Sequence, residues 1–263
     1  MSTRPSDVHG HHPLRIVADL GNSRLKWGRI DRYGKVSEVV ALPLDQPSQW
    51  DGQWAKWDPS GNSAASWRIA SVNPPLAKRL ASFLESRSVG YVTWYHSAAD
   101  VPVRHSLENS NTAGADRALA VLGARALKPP ETPGLVVLCG TAITVERIGN
   151  DGVWQGGAIA PGLNLSARAM HLLTAQLPEI EPVPDPPPWG RSTLPALRAG
   201  VYWGVVGSVR ELLTRQAIGL DGNPWVVFSG GDASTLCESI ARENAEVVPD
   251  LVLRGLARVG FPQ

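Results

Sequence analysis

The sequence predicts an α/β fold made of two similar halves with one cleft between them. Each half begins with a three-stranded β-meander and continues with a helix, a strand and a further helix. In both meanders a glycine and small polar residues follow the first strand, at residues 19–23 and 138–142. A chain of 263 residues can form two small domains. One repeat at half the chain length indicates a duplicated domain rather than a solenoid, and ligands in such folds bind between the halves.

The first half is predicted to span residues 14–130, after a polar tail at 1–13 that we expect to be disordered. Residues 43–65 are polar and rich in tryptophan without a clear period, so we predict a loop with a short helix there. Alternating or apolar runs bounded by turn residues predict strands, and apolar residues on one face predict helices. The predicted strands are 14–20, 24–30, 35–42, 67–72 and 90–95, and the predicted helices are 76–87 and 115–127.

The second half is predicted to span residues 131–263. It follows a Pro-rich stretch that ends the Ala-rich helix predicted at 115–127. A stiff proline-rich loop at 182–189 separates its meander and first helix from a long helical region. The predicted strands are 135–138, 141–148, 153–159 and 225–228, the predicted helices are 165–177, 194–218 and 236–244, and residues 247–258 close the domain.

Composition and charge narrow the class of protein. The chain has 25 Lys and Arg against 24 Asp and Glu, which argues against a dedicated nucleic-acid binder because such proteins carry a basic excess. Two cysteines are too few for a disulfide framework and suggest a reducing compartment. No apolar run approaches the roughly 18 residues of a membrane helix, and the first residues lack the apolar core of a signal peptide. We therefore predict a cytoplasmic protein without membrane or nucleic-acid partners.

The first candidate site is the turn Asp19-x-Gly21-Asn22-Ser23-x-x-Lys26. A glycine turn lets backbone N–H groups approach an anion, and Asn22 and Ser23 add side-chain donors. Asp19 could hold Mg²⁺, which prefers carboxylate oxygens, and Lys26 could neutralise phosphate charge. The same residues also fit a plain hairpin in which Asp and Asn serve only as turn formers.

A second candidate site is the start of the Ala-rich helix, where Gly114, Asp116 and Arg117 occur together. Asp116 could act as a general base or as a metal-linked carboxylate, and Arg117 could bind an anionic group of a substrate. The alternative is surface chemistry at a helix N-terminus, where an acidic side chain interacts favourably with the helix dipole.

Three further glycine turns lie in the second half, at 140–144, 156–162 and 229–232. Each is a weak signal alone, whereas four such turns in one chain with two meanders indicate phosphate binding. The sequence has no Walker A motif and no GxGxxG motif, so P-loop and Rossmann folds lose support. Cys139 and Cys237 have no adjacent base, so we expect buried apolar residues rather than nucleophiles.

Taken in order, the motifs resemble those of the type III pantothenate kinase family. They are D-x-G-N-S-x-x-K (19–26), A-S-V-x-P (70–74), G-A-D-R (114–117), G-T-A-x-T (140–144), G-G-x-I-x-P-G (156–162), T-A-x-L-P (174–178), G-R-S-T (190–193) and S-G-G-D-A (229–233). The resemblance covers the chain from Leu14 to about Leu256, and the ordered set is specific although each piece alone is not. The family includes the Bvg accessory factor proteins, to which a regulatory label is sometimes attached.

The resemblance implies a duplicated actin-like fold of the ASKHA (ribonuclease H-like) type and a homodimer with active sites near the dimer interface. It implies phosphorylation of the pantothenate hydroxyl with ATP and Mg²⁺ to 4'-phosphopantothenate, the first step of coenzyme A synthesis. On the matching positions, Asp116 is the catalytic base and Asp19 lies near Mg²⁺. The phosphate motifs match at Asp19, Gly21, Asn22, Ser23, Lys26, Gly140 and Thr141, and the substrate positions match at Gly114, Arg117 and, from the partner subunit, Thr193.

One position departs from the family pattern. The family usually writes its second phosphate motif as D-x-G-T-A-x-T-x-D, where this chain has Leu138 first and Glu146 last. The first Asp is linked in the family to an activating K⁺ or NH₄⁺, and a leucine cannot ligate a cation, so we predict no monovalent-cation activation. Two other functions stay open: an inactive or weakened member that acts as a regulatory or binding protein, and a kinase for another small hydroxy acid.

Overall fold

The computed structural model describes residues 14–59, 61, 64–87, 89–240 and 243–260, so the tail predicted at 1–13 lies outside the described residues. The strands of the first half are β1 (Arg15–Leu20), β2 (Leu25–Ile30), β3 (Val36–Leu42), β4 (Ser66–Ser71) and β5 (Tyr91–Tyr95). Those of the second half are β6 (Gly134–Cys139), β7 (Ala142–Ile148), β8 (Trp154–Pro161), β9 (Trp225–Gly230) and β10 (Ala245–Val247). The helices are α1 (Pro47–Trp57), α2 (Pro74–Glu85), α3 (Ala115–Arg125), α4 (Leu163–Leu172), α5 (Thr193–Ala217), α6 (Ala233–Ile240) and α7 (Leu251–Arg258).

The two halves have the same sheet topology. The first sheet has the order β3-β2-β1-β4-β5 and the second has the order β8-β7-β6-β9-β10. In each sheet the first three strands form an antiparallel meander, and the last two run parallel to the first strand of that meander. The prediction of a duplicated α/β fold is therefore confirmed.

The two sheets and their helices pack in alternating layers. Alternate residues of a strand point to opposite faces of its sheet, so Ile16 packs against α1 and α2 while Val17 packs against α3 and α7. The same alternation in β6 directs Val136 towards α3 and α7, and Val137 towards α5 and α6. The helices α3 and α7 thus lie between the two sheets and belong to a core that both halves share. None of the described helices is long and apolar enough to cross a membrane.

A tryptophan cluster explains part of the unusual aromatic content. Trp50, Trp54 and Trp57 are buried on one face of α1 at spacings of four and three residues, which is the period of a helix. They pack with the buried Trp27 and Trp67, whose rings meet edge to face at 5.0 Å between centroids. The short helix predicted within residues 43–65 is confirmed as α1, but the helical spacing of its tryptophans was missed in the sequence.

The remaining differences from the sequence prediction lie at helix ends. The prolines at 74 and 75 begin α2 rather than precede it, because the first turn of a helix has no N–H partner to lose. The helix predicted at 165–177 ends at Leu172, after which the chain folds back and the carbonyl of Leu177 lies 2.9 Å from His171 Nδ1. The helix predicted at 236–244 lies earlier, as α6, and the short strand β10 follows it.

Candidate functional site

Three of the predicted glycine turns meet in one cleft between the halves, with a volume of about 290 Å³. They follow β1, β6 and β9, three strands at or next to the centre of their sheets. Two of the turns touch across the cleft, where Ser23 Oγ lies 2.6 Å from Thr141 Oγ1. The sequence repeat predicted a cleft between the halves, and the two repeated turns, after β1 and β6, both line this cleft.

The cleft brings together eight of the eleven residues named from the sequence as candidates. They are Asp19, Gly21, Asn22, Ser23, Lys26, Asp116, Gly140 and Thr141. Gly114 lies just outside, as the residue before α3, and a Cβ there would collide with Asp116 Oδ1. Arg117 and Thr193 are not part of the lining.

Asp19 lies at the end of β1, where its carboxyl is removed from water. This burial raises the pKa of Asp19 to about 7, the nearby carboxylate of Asp116 acts in the same direction, and Lys26 opposes both. Such a carboxyl suits a bound divalent cation, because the cation replaces the missing water and the missing positive charge. Among the described residues no group of three or more His, Cys, Asp and Glu is arranged to hold a metal. Mg²⁺ is often held by one or two carboxylates together with substrate phosphates, so Asp19 is a residue that could hold this ion.

The raised pKa of Asp19 predicts how the empty protein responds to pH. The folded protein keeps a proton on Asp19 up to about pH 7, whereas an unfolded Asp releases it near pH 4. The folded state therefore binds more protons between these values, so the free energy of unfolding falls as pH rises through this window. We expect thermal melts between pH 5 and 8 to show this decline in the wild type and a weaker one in Asp19→Asn. Equal slopes for the two proteins would contradict the prediction.

Asp116 is the second residue of α3 and faces the same cleft. Burial raises the pKa of its carboxyl, while the backbone N–H of Arg117, 2.9 Å from Asp116 Oδ1, and the Arg117 charge lower it. A carboxylate with a raised pKa in a cleft is a candidate general base, because its proton affinity lies closer to the working pH than that of an exposed carboxylate.

The cleft also contains charged residues that the sequence analysis did not single out. Lys26 Nζ lies 2.7 Å from Asp250 Oδ1, across 224 positions of the chain, and Asp250 has the left-handed backbone conformation with φ 57°. Arg24 packs against Gly231 and lowers the pKa of Asp232, which burial otherwise raises. Four carboxylates and two cations therefore line the cleft. No sequence signal could have found Asp250, because only the fold brings it to Lys26.

Two glycines allow strands and turns to approach closely around the cleft. Gly230 has φ 116°, and a Cβ there would collide with the carbonyl oxygen of Cys139. A Cβ at Gly162 would collide with the carbonyl oxygen of Gly140. Larger residues at these positions would push apart the turns that form the cleft. Cys139 itself is buried, and its raised thiol pKa agrees with a packing role.

Arg117 turns towards the second sheet. Its Nε and Nη2 donate to the two carboxylate oxygens of Glu146 at 2.6 and 2.8 Å, and the Glu146 side chain is completely buried. Glu146 is the last residue of the motif whose first residue is Leu138, and Leu138 lines the cleft at the position that corresponds to Asp19 in the first half.

A second and larger cavity of about 650 Å³ lies between α4 and α5, and Thr193 belongs to its lining. The residues that line it are apolar or small, without a charged side chain among those described. It therefore lacks the groups that acid–base or phosphate chemistry needs, and the candidate active site is the smaller cleft. The single chain does not bring Thr193 into that cleft.

Comparisons with known proteins agree with this arrangement. A family model described as type III pantothenate kinase matches residues 15–215. A type III pantothenate kinase of Alkalilimnicola ehrlichii is 34% identical over 257 residues, which cover 94% of this chain and 98% of that protein. One of Porphyromonas gingivalis is 41% identical over 162 residues, which cover 60% of this chain and 65% of that protein, so the match spans somewhat less than two thirds of its length.

Solved structures show the same fold at low sequence identity. A Campylobacter jejuni protein described as a Baf family transcriptional activator aligns with a TM-score of 0.58 and 19% identity, covering 93% of this chain and 96% of that one. A Sinorhizobium meliloti protein described as a 2-dehydro-3-deoxygalactonokinase aligns with a TM-score of 0.57 and 13% identity, covering 93% and 97%. The fold of this chain is thus shared with these two structures.

Proposed function

The chain belongs to the type III pantothenate kinase family, and on this premise we propose that it transfers the γ-phosphoryl group of ATP to the hydroxyl of pantothenate. The product is 4'-phosphopantothenate, the first intermediate of coenzyme A synthesis. The observation that carries the proposal is the cleft itself, where a half-buried Asp116 lies with Asp19 among glycine turns from both halves. The alternative, a regulatory protein on the same fold, does not account for this group of half-buried carboxylates, because desolvating them is costly without a ligand.

We assign a task in this reaction to each candidate residue of the cleft. Bound MgATP would supply the phosphoryl group and screen the charge that develops on it. Asp116 orients the substrate hydroxyl and accepts its proton, since phosphoryl transfer needs positioning more than covalent chemistry from the protein. Asp19 holds the cation, and Lys26 meets the phosphates in place of Asp250. The turns at Gly21 and Gly140 offer backbone N–H groups, while Asn22, Ser23 and Thr141 offer side-chain donors.

A coupled ADP-release assay with purified protein, ATP, Mg²⁺ and pantothenate tests this function. We expect ADP release that depends on pantothenate. ADP release with another small hydroxy acid, and none with pantothenate, would favour a kinase for that other acid. No turnover with any such acceptor would contradict the enzymatic function and favour a binding role.

Because the reactants are small metabolites and both cysteines are free, we place the activity in the cytoplasm.

We further propose a homodimer formed through the face that contains the larger cavity. This face exposes several large apolar side chains, and a contiguous exposed apolar patch often marks an interaction site. The exposed apolar residues on or near it are Ile159, Leu165, Met170, Leu172, Leu173, Trp189 and Leu194. A second copy packed here would cover them and bring its Thr193 towards the neighbouring active site, which the single chain does not do.

If this face is the dimer interface, a large charged residue placed in it should prevent dimerisation and abolish activity. Gly204 lies in α5 with open space around it, so Gly204→Arg should fold while blocking the partner. We expect light scattering to give a dimer for the wild type and a monomer for the variant, with pantothenate turnover largely lost. The matched control is Gly52→Arg, at an exposed position of α1 with open space around it, which should stay dimeric and active. A monomeric wild type with full activity would contradict the proposal.

Because Leu138 replaces the aspartate of the family motif, we predict that kinase activity does not require a monovalent cation. Its side chain lines the cleft but offers no oxygen that could bind K⁺ or NH₄⁺. We expect the same turnover in K⁺, NH₄⁺ and Na⁺ salts at equal ionic strength. A strong and specific acceleration by K⁺ would show that other groups hold the cation, and would remove the role given to Leu138.

A further inference from the structure

The ion pair between Arg117 and Glu146 joins the first turn of α3 to β7. The mechanism described above does not use it. Glu146 accepts both hydrogen bonds of the Arg117 fork, and its Oε2 also accepts from Trp154 Nε1 at 3.0 Å. The Arg117 guanidinium lies over the Trp154 ring at 5.6 Å from its centroid. We call these three residues, Arg117, Glu146 and Trp154, the Glu146 clamp.

The backbone around the clamp is shaped to hold it. Glu146 pairs with Gly157 across the two strands, and a Cβ at Gly157 would come within 2.7 Å of Glu146 Oε2 and collide with the carbonyl oxygen of Val145. Trp154 is completely buried, and its backbone N–H and carbonyl bond to Arg104 and Ser106. The carboxylate of Glu146 therefore has one position available, and it satisfies its hydrogen bonds there with three strong donors.

The clamp uses only part of the Arg117 guanidinium. Its Nε and Nη2 are engaged, whereas no described residue accepts a hydrogen bond from Nη1, and 14% of the side chain is exposed. A guanidinium held by one carboxylate at two nitrogens keeps its third nitrogen at a fixed place and direction. Arg117 follows Asp116 directly, so this nitrogen is fixed relative to the candidate base.

We propose that Glu146 is a positioning residue that holds Arg117 so that Nη1 receives the carboxylate of the substrate. The proposal rests on the proposed function, because pantothenate carries that carboxylate at the end remote from the hydroxyl that is phosphorylated. Glu146 touches neither the substrate nor the reacting atoms. A clamp with only a structural role would affect folding and both substrates alike, whereas a positioning role affects pantothenate alone.

Steady-state kinetics of Glu146→Gln test this directly. A glutamine keeps the volume but offers one acceptor where Arg117 and Trp154 present three donors, so the fork loses its fixed orientation. We expect the KM for pantothenate to rise about tenfold or more, as for loss of a charge-assisted hydrogen bond, with the KM for ATP unchanged. Arg117→Lys, which keeps the charge without the fork, should show the same split. The matched control is Trp67→Phe in the buried tryptophan cluster, which should lower the melting temperature and leave both KM values unchanged.

Two further measurements keep the test decisive. If Glu146→Gln does not fold, Trp154→Phe removes one donor and should raise the same KM by a smaller factor. Calorimetric titration of the wild type with pantothenate distinguishes failure of the kinase function from failure of the clamp. A wild type that neither binds nor phosphorylates pantothenate contradicts the proposed function. An active wild type whose Glu146→Gln variant keeps its pantothenate KM, or raises both KM values equally, overturns the clamp proposal alone.

Discussion

Replacement of Asp116 by asparagine should lower kcat by about 10²–10⁴-fold, the usual loss on removing a general base. Asparagine keeps the shape and the contacts with the first turn of α3 but cannot accept the hydroxyl proton. We expect the KM for ATP to change little, because Asp116 interacts with the hydroxyl of pantothenate rather than with ATP. The control is Asp45→Asn, an exposed carboxylate outside the cleft, which should behave as wild type.

The same variant should change the pH dependence of turnover. Burial raises the pKa of Asp116, and a base works only when it is deprotonated, so the wild-type rate should fall as pH drops through that raised pKa. This acidic limb should be weaker in the residual activity of Asp116→Asn, where Asp19 is the remaining carboxyl of the mechanism with a raised pKa. An unchanged kcat in the variant would remove the role of base from Asp116.

Replacement of Lys26 by alanine should weaken ATP binding by about 10–10²-fold, which corresponds to one charge-assisted hydrogen bond of about 1.5–3 kcal/mol. The ammonium that pairs with Asp250 in this structure is the group best placed to meet the phosphates, since it lies on the cleft-facing part of β2. We expect the effect in the KM for ATP, with a smaller one in the KM for pantothenate.

Two variants show whether this effect is specific to the cleft. Lys35→Ala removes an exposed lysine at the next turn of the meander and should leave ATP binding unchanged. Asp250→Asn keeps Lys26 but removes its partner, so it should not weaken ATP binding as Lys26→Ala does. If Lys26→Ala binds ATP normally, the lysine serves the fold rather than the nucleotide.

The sequence predicted the duplicated architecture because its signals are local. The turns after β1 and β6 are short, glycine-containing and similar, and the strands before them are short apolar runs. It also predicted most of the cleft, since the residues after the first strand of each meander converge once the two halves pack together. The tryptophan face of α1 was missed because the helix is only 11 residues long and lies within a longer polar segment.

The partners of the candidate residues were not predictable in the same way. Lys26 and Asp250 are 224 residues apart, and Arg117 and Glu146 are 29 apart in different elements, so their ion pairs exist only in the folded chain. The return of α7 to the core between the sheets likewise depends on packing rather than on local pattern. Charge partners therefore required the structure, whereas the turns and strands that carry the site did not.

Transfer of labelled phosphate from γ-labelled ATP to pantothenate tests the central claim most directly. The wild type should form labelled 4'-phosphopantothenate, identified by its mass, at a rate that requires Mg²⁺, and Asp116→Asn should form it at least about 10²-fold more slowly. Folded wild-type protein that binds ATP but yields no labelled pantothenate product would contradict the assignment of this cleft as a pantothenate kinase active site.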